Sequence, residues 1–192
     1  DNTNNPAVVE RQNIFSGCLI CGAPVTYSVE SSVKTAASDH KEQLTNAVCE
    51  NGHFVCDACH SYGTYIPVII ALRSSTEKDP LLLLEEIMDL PSVHMHGPEH
   101  HAIVPSVLLT ALRNNGERMN YDTALSETVK ERGRFGGTCG YWGVCGAAAG
   151  AGIFMSVMTG SGPLHKDAWP FPQKLVSVIL SKLADVGGPR CW

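Results

Sequence analysis

Cys49-Glu-Asn-Gly-His53-Phe-Val-Cys56-Asp-Ala-Cys59-His60 packs three thiols and two imidazoles into twelve residues. Upstream, Cys18-Leu-Ile-Cys21-Gly22 forms a knuckle, two thiols three positions apart with a glycine that lets backbone N–H groups face sulfur. Tetrahedral Zn²⁺ takes four nitrogen or sulfur donors, and two Cys-x-x-Cys pairs supply them in the manner of a zinc ribbon or treble clef. The spacing predicts Cys18, Cys21, Cys56 and Cys59 as the tetrad. In a second arrangement Cys49 or His53 replaces one member or holds a second ion. In a third, Cys49 and His60 are only buried beside the site. Four protein ligands close a zinc site, so the ion expected here holds the fold and performs no chemistry.

Outward from this stretch the chain changes character. Its 192 residues suffice for one domain with a small appendage. Hydrophobic residues at 44% argue for a real core, and charged residues at 17% for little solvated surface. A net charge of -5 speaks against nonspecific nucleic-acid binding, which needs a basic footprint. The weakly polar run from Val144 to Gly160 is shorter than the roughly 20 residues a bilayer span requires. With no basic and apolar leader at the start, no signal peptide is expected, and the reading is cytoplasmic. Eight cysteines beside eight histidines then point to metal ligation rather than disulfides.

The expected fold class is mainly α, with a small N-terminal zinc-ribbon- or treble-clef-like β module. Residues 1–13 read as a loose arm, 14–61 as the zinc-ribbon-like module and 62–192 as a helical domain. Short strand-like pieces are expected at Pro24 to Val29 and His53 to Cys56. Helices are expected at Tyr65 to Leu72, at Leu81 to Leu90 behind an Asp79-Pro80 start, and at Ala102 to Asn115. Three more follow: Asp122 to Arg132, a small-residue helix at Cys145 to Thr159, and an amphipathic one at Pro172 to Val186.

Two further segments carry chemistry. His94-Met-His96-Gly-Pro-Glu99-His100-His101 holds four of the eight histidines, with a carboxylate. Imidazoles and a carboxylate suit a zinc, iron, copper or nickel site, and His94 is assigned as a metal ligand. The same groups also suit acid–base catalysis, for which His96, Glu99, His100 and His101 are the candidates. Pro105 leaves the His101 carbonyl without its helical donor. Downstream, residues 133–152 contain eight glycines and two cysteines, Cys139 and Cys145. Cys191 follows Gly187-Gly-Pro-Arg. Three cysteines on glycine loops suit three irons of a [4Fe–4S] cluster whose fourth iron stays open. Alternatively they are buried small hydrophobes. Gly146-Ala-Ala-Ala-Gly150 predicts close helix–helix packing.

Taken together, five stretches resemble an uncharacterised prokaryotic family, a domain of unknown function found largely in anaerobic bacteria and archaea. They are the Cys18 knuckle, Cys49 to His60, Met95 to His101, Gly136-Gly-Thr-Cys139-Gly-Tyr-Trp-Gly-Val-Cys145-Gly146 and Gly187-Gly-Pro-Arg-Cys191. The resemblance runs from about Cys18 to Cys191. The chain departs from that pattern in having no cysteine between Val33 and Leu44 and in stopping at Trp192. The family implies no reaction.

Two functions compete on these grounds. One is an oxygen-sensitive iron–sulfur enzyme with lyase-like or sulfur-transfer chemistry on a small molecule, braced by a structural zinc module. The other is a noncatalytic zinc protein that docks a partner enzyme or delivers metal. Neither involves nucleic acid or a membrane.

Overall fold

The computed structural model describes residues 17–94, 97, 99–131 and 142–187. It begins with a two-stranded antiparallel hairpin, β1 (Val25–Thr35) against β2 (Glu42–Cys49), and continues as helices. The helices are α1 (Asp57–Ser74), α2 (Pro80–Met88), α3 (His100–Asn114), α4 (Tyr121–Glu131), α5 (Gly146–Thr159) and α6 (Pro170–Val186). Mainly helical, with a small β module carrying cysteines, is the architecture the sequence implies. The expected arm at residues 1–13 lies outside the described residues.

Both strands differ from expectation. β1 runs to Thr35, β2 occupies Glu42–Cys49, and His53 to Cys56 is not a strand. The cause is physical. Nearly every β1 residue is exposed, so the hairpin buries neither face and leaves no alternation to read. Backbone pairing sets its register, Val25 opposite Cys49 and Thr35 opposite Glu42, with an irregularity between Tyr27 and Ser32. Among the described residues, the buried hydrophobic cluster of this module is Ala36, Phe54 and Cys56 with Cys59 alongside.

α1 begins at the second Cys-x-x-Cys pair and is far longer than the expected Tyr65 to Leu72, running through the boundary expected at residue 61. Cys56 is its N-cap, and its sulfur accepts the Cys59 N–H, so a cysteine sulfur starts the helix where a Ser or Asp oxygen ordinarily would. Pro67 lies inside it. Asp79 caps α2 as expected, accepting the Leu81 N–H at 2.8 Å. For α4 the capping oxygen is that of Asn120, which accepts the Thr123 N–H, rather than that of Asp122. Asp122 instead pairs with Arg73 at the surface.

The main core joins Val68 and Leu72 of α1, Leu83 and Ile87 of α2, Val93, and Ile103, Val107 and Ala111 of α3. The end of α3 clasps the α1–α2 connection. Arg113 donates to the carbonyls of Leu72 and Ser75, and Asn114 to those of Ser75 and Glu77. On its other side α3 packs against α5 through small residues. Cβ atoms added at Gly146 and Gly150 would land on the His101 ring and beside Pro105, respectively. The His101 carbonyl, relieved of its helical donor by Pro105, faces Gly150, where an added Cβ would lie 3.1 Å from it. This is the packing predicted for Gly146 and Gly150. No described helix is long and apolar enough to cross a membrane.

Leu72 is fully buried at the centre of the α1–α2–α3 contact. Leu72→Ala is expected to cost about 2–5 kcal/mol, from lost transfer energy and the cavity left behind. Urea denaturation followed by circular dichroism measures it. A cost under about 1 kcal/mol would mean that this contact is not the core.

Candidate metal centres

Among the described residues, three constellations of ligand-type side chains come together, each with its donor atoms within 4.8 Å of one another: Cys18, Cys21, Cys49 and His53; Asp39, Cys56 and Cys59; and His60, His94 and Glu99.

The first is built by two turns. In the knuckle, Gly22 adopts a φ of 71° and donates to the Cys18 carbonyl, while the Ile20 N–H points at the Cys18 sulfur. In the second turn Gly52, at φ 80°, donates to the Cys49 carbonyl, and the His53 N–H points at the Cys49 sulfur. Both glycines occupy a backbone region that side-chain-bearing residues rarely adopt. The Cys21 and Cys49 sulfurs are 3.8 Å apart, and His53 Nδ1 lies 3.3 Å from the Cys21 sulfur. A tetrahedral zinc with Zn–S bonds of about 2.3 Å separates its sulfurs by about 3.8 Å, so the donor spacing fits that ion. The Ala23 N–H, the Asn51 amide and the His53 ring together lower the Cys21 thiol to about 6, whereas burial pushes Cys18 up.

This geometry corrects the tetrad read from two Cys-x-x-Cys pairs. Cys18 and Cys21 meet Cys49 and His53, the alternative members, and not Cys56 and Cys59. The hairpin ends at Cys49, so the chain beyond it turns back on the knuckle at once, and the second pair is carried off on α1. Cys56 and Cys59 stand with Asp39 instead, Cys56 Sγ lying 3.6 Å from Asp39 Oδ2.

The third constellation joins three segments. His60 comes from the first turn of α1, His94 from the connection after α2, and Glu99 from the residue before α3. Glu99 is fully buried. Its Oε1 accepts from the His94 backbone N–H and lies 3.0 Å from His94 Nδ1. Its Oε2 faces His60 Nδ1 at 3.4 Å, yet neither atom has a hydrogen bond. Burial by itself would raise this carboxyl. The nearby His60 and His94 rings and backbone N–H groups outweigh it and hold the group well below the usual carboxylate range. Zinc-bound nitrogen and oxygen at about 2.0–2.1 Å would sit about 3.4 Å apart, the spacing of His60 Nδ1 and Glu99 Oε2.

The expected histidine cluster is thus only partly assembled. His100 turns its Nε2 to the His94 carbonyl at 2.7 Å and so props His94. His101 is buried on α3 against Gly146. His60, which sequence reasoning left beside the zinc module, pairs with His94 edge-on, their ring centroids 5.0 Å apart. Its signal was its place immediately after Cys59. Asp39, the other candidate ligand that the spacing did not single out, lies in a cysteine-free stretch that gave no signal. Cys145 is the N-cap of α5, half-buried, with no capping hydrogen bond from its thiol. His96, Cys139 and Cys191 lie outside the described residues. A cleft of about 1330 Å³ between α4, α5 and α6, edged by Met119, Ile153, Trp169 and Val176, is lined by none of these ligands.

Residues 68–192, well over half of the chain, match the model of a family of unknown function (DUF5714). The match starts within α1 and so leaves outside it the cysteine hairpin, which the motif resemblance includes. No curated protein and no solved structure matches the chain.

Gly97 is what lets the Glu99 carboxylate fold back, since a Cβ there would collide with it. Gly97→Ala is expected to displace Glu99 and destabilise the chain by about 1–3 kcal/mol, as overpacking does. Urea melts, together with the ring-nitrogen NMR shifts of His60 and His94, read the two effects. Unchanged shifts would contradict this placement of Glu99.

Proposed function

This chain belongs to the DUF5714 family of unknown function, and we propose that within it the protein works as a metalloenzyme acting on a small molecule. His60, His94 and Glu99 would hold a divalent ion, and Cys18, Cys21, Cys49 and His53 a structural zinc. The observation that carries this reading is the pair of buried polar atoms, Glu99 Oε2 and His60 Nδ1, that face each other at 3.4 Å, an ion-pair distance at which no well-directed hydrogen bond forms. Buried polar groups are nearly always satisfied, and a cation between these two satisfies both. Two imidazoles and one carboxylate form a three-ligand set, the kind that keeps a coordination position open. A bound ion there supplies Lewis acidity and a water acidic enough to ionise near neutral pH.

The chain's own residues prepare that site. The His60 and His94 rings hold the Glu99 carboxyl well below the usual carboxylate range, so the carboxyl itself has no proton to lose when a cation arrives. His100 holds the His94 main chain in place. His101, behind the site, ties α3 to α5 through Gly146. Ligand thiols require a reducing compartment, and Cys18, Cys21, Cys49, Cys56, Cys59 and Cys145 are all free, which suits the cytoplasm.

A specific observation favours a second centre. Cys145 presents an uncapped thiol at the start of α5, directly before the glycine against which His101 packs. With Cys139 and Cys191 it would supply three ligands to a [4Fe–4S] cluster with one open iron, for lyase-like or sulfur-transfer chemistry. In a noncatalytic variant the same metals serve docking to a partner enzyme or metal delivery.

The experiment is metal counting on the full chain, purified anaerobically. Glu99→Gln and His60→Ala are each expected to lose one metal equivalent while the tetrad's zinc remains. A full metal complement in both variants would refute the His60–His94–Glu99 site. The wild-type protein should be brown and bleach in air, and the Cys139, Cys145 and Cys191 triple alanine variant colourless with its zinc intact. A colourless wild type after reconstitution with iron and sulfide would leave the zinc-only accessory reading.

A further inference from the structure

We propose that Asp39, Cys56 and Cys59 form a second zinc site in the hairpin module, separate from the Cys18–Cys21–Cys49–His53 tetrad and open at its fourth position. The donors arrive from two directions. Cys56 and Cys59 lie at the start of α1, one as its N-cap and one in its first turn. Asp39 comes from the turn joining β1 to β2. That turn is docked on the segment leading into α1, since the Ala37 N–H donates to the Phe54 carbonyl and Ala36 is buried with Phe54 and Cys56.

Three observations favour a metal ion there. The donor atoms all lie within 4.8 Å of one another, although each is an anion when deprotonated. Cys56 is fully buried, its thiol directed at Asp39 Oδ2 and its sulfur accepting the Cys59 N–H, with no cationic side chain among those partners. Lys41, which reaches Asp39 Oδ2 at 3.7 Å, is 75% exposed and belongs to the solvent side. Second, the 3.6 Å between Cys56 Sγ and Asp39 Oδ2 fits the roughly 3.5 Å expected of a sulfur and an oxygen bound to one tetrahedral zinc. Third, the hairpin buries almost nothing. A module whose described core is Ala36, Phe54 and Cys56 needs a staple, and the tetrad grips only its Cys49 end. An ion on Asp39 would grip the other.

Two thiolates and one carboxylate are a donor set that favours zinc over magnesium or calcium. With three protein ligands, the fourth position takes water or an added thiol or imidazole. Unlike the tetrad, the site can therefore bind an exogenous ligand. Its ion would also anchor the first turn of α1, which carries His60.

Cobalt substitution of the full chain tests this. The tetrad supplies three thiolates and the second site two, so these two sites are expected to give five cobalt–sulfur bonds. Cys56→Ser with Cys59→Ser should remove about two-fifths of the sulfur-to-cobalt charge-transfer band and one zinc per chain. Asp39→Asn, which leaves every thiol and the buried cluster in place, is the folding-safe variant. It should speed zinc loss to a chromogenic chelator from one site and leave the tetrad's loss rate unchanged. Added imidazole should shift the cobalt d–d bands of the wild type and not those of the double serine variant. A wild-type charge-transfer band and zinc content in the double serine variant would overturn the proposal. So would thiol trapping that finds Cys56 and Cys59 joined as a disulfide in freshly purified protein, which would make the pair a redox dithiol.

Discussion

A single buried carboxylate organises the junction of this molecule. Glu99 has no exposure, and a charge in that position survives only because His94, the His94 backbone N–H and His60 surround it. Those partners come from different segments. His60 belongs to the first turn of α1, and His94 to the connection that follows α2. Holding Glu99 charged therefore sets where α1 enters the helical domain and how α3 begins. Gly97 pays the steric cost, as a glycine beneath the carboxylate.

The hairpin depends on a different constraint. Its strands satisfy each other's backbone groups but bury no face, so hydrophobic burial cannot hold it. What it has instead are sulfur, imidazole and carboxylate donors clustered near its base and its turn. α1 starts on one of those thiols. The hairpin and the helical domain are thus tied through a helix whose N-cap is Cys56 and whose fourth residue is His60.

The helical domain follows ordinary packing rules, with one bias. α3 is flanked by large aliphatic side chains on the α1–α2 side and by glycine and alanine on the α5 side. The close approach to α5 brings Cys145 and Gly146 up to His101. It also lets Gly150 lie against the His101 carbonyl, to which Pro105 offers no helical N–H.

The sequence by itself determined the kinds of element and the kinds of chemistry. Periodic apolar residues placed the helices, the Asp79-Pro80 start placed α2, and small residues announced the α3–α5 contact. Cysteine and histidine density announced clusters of ligand-type side chains able to hold a metal ion. All of these depend on interactions between near neighbours or on one helix face, which residue order encodes directly. Which ligands share a site was decided by tertiary structure. Spacing favoured Cys18 and Cys21 with Cys56 and Cys59, but the hairpin's backbone register sets Cys49 and His53 against the knuckle and sends the second pair onto α1. His60 left the neighbourhood of the tetrad for the same reason, since the first turn of α1 points it at Glu99. Asp39 joined Cys56 only because a turn docks on Phe54. Backbone pairing between exposed strands leaves no hydrophobic pattern in the sequence, and the partners it chose could only be found in three dimensions.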